Sequence, residues 1–174
     1  ERTGRRQGPA ARLFAPLLAR LGAIFRTIAG LGVTATDPDV RRRQGFVNIA
    51  AVMATFNSIE HLVEQSLRDF ATLEPLIMHN AAFGVLHAIT PFFHRVSENA
   101  AAMWLCGVII VGTFNVIRLT GLAGGAHVYF AFTAGAFLFF GVKNWRHYLV
   151  VLAAAMGVVL WAIAFAPEWG PIGL

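Results

Sequence analysis

The chain has 174 residues, 57% hydrophobic and only 13% charged, with a mean hydropathy of +0.63. A soluble domain must cover its surface with polar groups, so this balance excludes a water-soluble globular enzyme and makes lipid the main solvent. The formal net charge of +5 comes from arginines crowded towards the N-terminus, which suits an anionic membrane surface; with no interleaved aromatic or base-reading pattern, nucleic acid is not expected as a partner.

Residues 1–36 read as a basic cytoplasmic arm. Within it, from Ala15 to Leu31, the residues Leu17, Leu18, Leu21, Ile24, Phe25 and Ile28 fall on one arc at helical spacing, with Pro16 suited to the first turn and Gly30 and Gly32 to the stop. Arg20 and Arg26 interrupt the run, so an amphipathic helix lying in the interface is expected rather than a span. Docking against a partner helix would use the same face.

Thr36, Asp37 and Asp39 offer helix caps and Pro38 a stop signal. Arg41, Arg42 and Arg43 then form the cytoplasmic anchor of a first span. A bilayer core of roughly 30 Å takes roughly 20 apolar residues per helix, and five stretches qualify, at about 46–63, 73–93, 100–117, 126–142 and 148–166. The expected fold is therefore all-α, a polytopic transmembrane helix bundle over residues 37–171. With Arg41 to Arg43 inside, Lys143 and Arg146 fall inside as a second anchor, as the positive-inside rule requires. The expected placement is the inner membrane, multi-pass, with a cytoplasmic N-terminus. Residues 172–174 would end on the outer side, and an odd span count with no polar tail reads as a segment of a longer protein.

Ionisable groups at membrane depth are costly and often mark a site. Glu60, His61 and Glu64 share the outer end of span one, His79 lies in the outer half of span two, and His127 opens span four. Carboxylate and imidazole together suit a divalent cation, so an outer-facing ligand or cation site is one reading. Ordinary interhelical hydrogen bonding is the other, and Asn48, Asn57 and Asn115 are expected to serve it. His87, eight residues after His79, raises a haem reading, which membrane proteins normally build from paired histidines on different helices. Cys106, the single cysteine, reads as a small apolar core residue. Gly121 and Gly125 have G-x-x-x-G spacing but fall in a loop. Lys143, the only lysine, ends a helix and so does not suit a Schiff base, and no phosphate-binding glycine loop occurs.

Four short motifs, in this order and spacing, carry a resemblance: Arg41-Arg42-Arg43-Gln44 before span one, Pro91-Phe92-Phe93-His94-Arg95 closing span two, Gly125-Ala126-His127-Val128-Tyr129-Phe130 opening span four, and Leu138-Phe139-Phe140-Gly141 closing it. The region from about Asp37 to Pro171 resembles the N-terminal six-helix membrane domain of bacterial, mycobacterial-type class III adenylate cyclases. The resemblance implies a homodimeric membrane anchor and sensor domain. In that family a sixth span leads through a helical linker to a catalytic domain that converts ATP to cyclic AMP and diphosphate with Mg or Mn. The sixth span and catalytic domain have no counterpart in this sequence, so no catalytic residue and no cofactor of its own is assigned to it. Two other readings compete. The chain would be an accessory subunit packed against partner membrane subunits in a photosynthetic or respiratory complex, or a small transporter, although no inverted repeat supports the last.

Overall fold

In a computed structural model of the chain, residues 9–126 and 135–172 are described. They form helices α1 (Pro9–Ala29), α2 (Pro38–Arg68), α3 (Phe70–Ala88), α4 (Ala100–Thr120), α5 (Phe137–Phe140) and α6 (Trp145–Phe165), with 3-10 turns at Thr90–Arg95, Leu122–Gly124 and Val142–Asn144. No strand occurs among the described residues.

Helix α1 starts six residues earlier than the sequence pattern suggests. Its described part opens at Pro9, and Pro16 lies inside the helix rather than in its first turn. On the apolar arc Leu21, Ile24 and Phe25 are exposed. Its last turn engages the bundle, where Ala29 lies so near Gly45 of α2 that a Cβ there would come within 3.3 Å of it.

Pro38 likewise opens a helix rather than stopping one. Asp37 caps α2, its Oδ1 accepting from the amides of Asp39 at 2.8 Å and Val40 at 3.2 Å, and Pro38 supplies a preset φ just after the cap. Arg41 to Arg43 therefore lie within the first turns of α2, not ahead of it. The helix runs 31 residues, about 46 Å at 1.5 Å per residue. Asp69 alone separates α2 from α3. Its extended backbone, φ −164°, lets its amide donate to Gln65 at the end of one helix, while its carboxylate accepts from Thr72 at the start of the next. This tight reversal makes α2 against α3 the most extensive helix pairing in the bundle.

Four segments are long and apolar enough to cross a membrane: Pro38–Arg68, Phe70–Arg95, Ala100–Thr120 and Val142–Phe165. Of the span expected at 126–142, residues 127–134 lie outside the described residues. Its described end, α5, finishes at Gly141 with φ +68°. Helix α4 is the most enclosed of the four and packs on α2, α3 and α6. Its Ala101, Ala102, Leu105, Cys106 and Ile117 join Val47 and Ala51 of α2, Phe140 of α5 and Val151, Ala155 and Ala162 of α6 in one core.

The outward surface is apolar as well. Met53, Phe56, Ile59, Val63 and Leu67 on α2 and Val150, Leu160, Ile163 and Phe165 on α6 are all exposed. An exposed face of this extent is untenable in water, and a bilayer solvates it. Beyond α4, Leu122 and Ala123 donate to the carbonyls of Pro167 and Glu168, and Ile172 donates to Leu119. Gly121, φ +74°, permits this crossing, since a Cβ there would lie 2.6 Å from Glu168 O and from Gly170 N. The G-x-x-x-G spacing thus serves a turn within the chain.

Candidate functional site

The polar groups of the bundle collect at the two ends of α2. At the arginine end, Arg41 and Arg42 are exposed. The 3.6 Å pair between Arg42 and Asp39 is solvent-facing and adds little stability. Arg43 behaves differently. Its guanidinium turns into the bundle, with 13% side-chain exposure, and donates to the Phe140 carbonyl at the end of α5 and to Glu98 in the turn before α4. Glu98 also accepts from Asn144, which in turn donates to the Phe140 carbonyl at 3.2 Å. Lys143 and Arg146 flank Asn144 and are exposed, with the Arg146 guanidinium 5.9 Å from the Trp145 ring. The residues expected to form a cationic anchor thus lie towards the same end of the bundle, and Arg43 is a clamp between three segments of chain.

One turn further along α2, Asn48 is fully buried. Its amide donates to the carbonyls of Leu31 at 2.8 Å and Ala29 at 3.2 Å. Its Oδ1 lies 2.8 Å from His94 Nε2. Since both donors of the Asn48 amide point at carbonyls, its oxygen must accept, which assigns the proton to His94 Nε2. Asn48 thus ties the end of α1 and the end of the α3 span to α2. Around it, Gln44 Oε1, Thr90 Oγ1, His94 Nδ1 and Asn99 Oδ1 are buried without a protein partner among the described residues.

At the Asp69 end, the five residues expected to form a site are not all brought together. Glu60 and Glu64 are exposed on α2, and His61 is half-buried with Nδ1 3.6 Å from Glu64. His79 instead points between α3 and α4, where Nδ1 accepts from Asn115 at 2.9 Å and the ring stacks on Phe83 at 4.3 Å. His127 lies outside the described residues. Among those described, no three His, Cys, Asp or Glu side chains are grouped so as to hold a metal ion.

Asn48 and Asn115 do bond between segments, as expected, and Asn80 donates to Gln65 at 2.9 Å across the α2–α3 pair, whereas Asn57 is exposed. His87 and His79 both belong to α3, so the two do not form a pair from different helices. Cys106 is buried in the core, as read. Glu98 and Asn144 were not singled out from the sequence. The available signal was a lone acid in a short turn between apolar spans, which needs a buried or half-buried cation to neutralise it.

What this arrangement does chemically is hydrogen bonding and charge pairing between helices, with Arg43, Glu98 and Asn48 as the junctions. Three of the four resemblance motifs meet there, through Arg43, His94, and Phe140 with Gly141, whose added Cβ would approach the Arg43 side chain at 3.0 Å. No curated protein and no solved structure matches the chain. A family model, MASE7, matches residues 33–169, beginning after α1 and covering all four candidate spans. The chain belongs to MASE7, a family of membrane-associated sensor domains.

Proposed function

We propose that the chain is the membrane anchor and sensor domain of an adenylate cyclase, with its arginine end at the cytoplasmic face of the inner membrane and a second copy as its partner. Membership of a membrane-associated sensor family supports the sensor role. The cyclase assignment rests on the resemblance of the four motifs, and the observation that carries it is the meeting of two of them where Arg43 reaches Phe140, with His94 of a third bonded to Asn48 of the same helix. That junction is a route by which altered helix packing would reach the cytoplasmic side, because Arg43, Glu98, Asn144 and the Phe140 carbonyl fasten α2 to the start of α4 and of α6. A ligand shifts such a bundle only if it binds one packing better than another.

The test is cyclic AMP production in a cyclase-deficient bacterium expressing the full reading frame that encodes this chain, with and without residues 33–169. Output that depends on the segment, and that Arg43→Gln uncouples from it without loss of membrane insertion, is the expected result. No cyclic AMP from the intact reading frame would overturn the cyclase assignment and favour an accessory subunit of a membrane complex. A divalent cation at the Asp69 end belongs to the same proposal. His61 and Glu64 are adjacent there, so Glu60→Gln with Glu64→Gln is expected to weaken Mg or Mn binding to the purified domain, and unchanged binding would remove it.

A further inference from the structure

A cavity of about 140 Å³ opens on the side of the bundle between α2 and the α3 span. Its wall is formed by Ala51, Val52, Thr55, Phe56 and Ile59 on one side and by His87, Ala88 and Pro91 on the other. Apolar cavities of roughly this volume admit a molecule the size of benzene. His87 is only 7% exposed, and neither ring nitrogen has a partner among the described residues. A buried imidazole keeps one donor and one acceptor whatever its tautomer, and leaving both unmade is costly. It therefore stands out in a wall that is otherwise carbon, apart from the Thr55 hydroxyl, which already donates to Ala51 O at 2.8 Å.

We propose that this cavity binds an uncharged lipid-soluble molecule carrying one hydrogen-bonding oxygen, with His87 as the residue that recognises that oxygen. The requirement of neutrality comes from the lining and its depth. No Lys or Arg faces the cavity, and Ala51 to Ile59 are the central turns of α2, where an ionised headgroup is strongly disfavoured. The exposed Phe56 and Ile59 at the rim give access from the lipid phase rather than from water. Both ring nitrogens are shielded as the ring stands, so recognition requires the ring to turn about its Cβ–Cγ bond, a broad torsion, and bring one nitrogen to the cavity. Because the cavity spans α2 and α3, occupancy bears on the packing of the most extensive helix pair. This deepens the sensor reading by naming a ligand class, but its test is a binding measurement and does not depend on any cyclase.

The experiment uses the whole chain in lipid nanodiscs with ¹⁵N-labelled histidine, titrated with 4-butylphenol, butylbenzene and 4-butylbenzoate. The expected result is a saturable shift of the His87 ring nitrogens by 4-butylphenol, with butylbenzene binding roughly five- to tenfold more weakly for want of one hydrogen bond. His87→Phe should erase that preference while still admitting butylbenzene. Ala88→Leu, which narrows the cavity and leaves the imidazole in place, should block both. A shift that never saturates, equal binding of phenol and hydrocarbon, tighter binding of the benzoate, or binding unchanged by Ala88→Leu would each overturn the proposal.

Discussion

Asn48 shows how much one side chain can hold in a chain that is otherwise carbon. It satisfies two carbonyls at the end of α1 and fixes the tautomer of His94, with no exposed surface of its own. Asn48→Ala leaves the buried His94 Nε2 and two part-buried carbonyls without this partner. The expected loss is about 1–3 kcal/mol, since an orphaned polar group costs roughly that much while interhelical bonds in membranes individually contribute less. Thermal unfolding in detergent would measure it, with Asn57→Ala as the exposed comparison expected to change little. That Asn48 would bond between helices was legible in the sequence, because an amide in an apolar run has few other options. Its partners were not, since they lie 17, 19 and 46 positions away. Arg43 carries the same lesson. As a charge in a triplet it reads as a surface anchor, and nothing in its local sequence distinguishes it from Arg41 or Arg42. Helical phase relative to Glu98 and Phe140 decides it, and that is a tertiary fact.

At the scale of the elements, hydropathy placed α2, α3, α4 and α6 correctly and their boundaries less well. The helices begin before the apolar runs do, because Asp37 and Asp69 supply caps that let polar turns join the helix. Both carboxyls are held below the ordinary carboxylate range, Asp37 by the amides of Val40 and Asp39 and Asp69 by the Thr72 hydroxyl and amide. A depressed folded-state value means that the stabilisation is complete above the unfolded-state value and is lost as the pH falls through the lower folded one. Helix content followed by circular dichroism should therefore fall on acidification below the ordinary carboxylate range. Asp37→Asn, which can still cap but does not titrate, should flatten part of that fall. An acid limb identical to wild type would contradict the assignment. Proline was the other source of error at this scale, read as a stop at Pro38 and as a first-turn residue at Pro16, because the residue alone does not say on which side of it the helix lies.

The whole molecule is turned towards lipid. Its core, built around α4, is lined mainly by small and medium side chains together with Phe139 and Phe140, and many large apolar residues remain on the outside. That inversion was foreseeable from composition, as was membership of a membrane class. The convergence of site residues was not. Glu60, His61 and Glu64 occupy an outer face while His79 is drawn inward by Asn115, a difference that depends on the rotation of each helix about its axis. The central claim is that α2 crosses the bilayer with its arginine end on the cytoplasmic side, and labelling of introduced cysteines tests it most directly. Cys106 is buried, so background labelling is low. In right-side-out and inverted vesicles, a membrane-impermeant maleimide should modify Arg42→Cys only in the inverted ones and Leu67→Cys only in the right-side-out ones. Modification of both positions from the same side would show that α2 does not span the membrane.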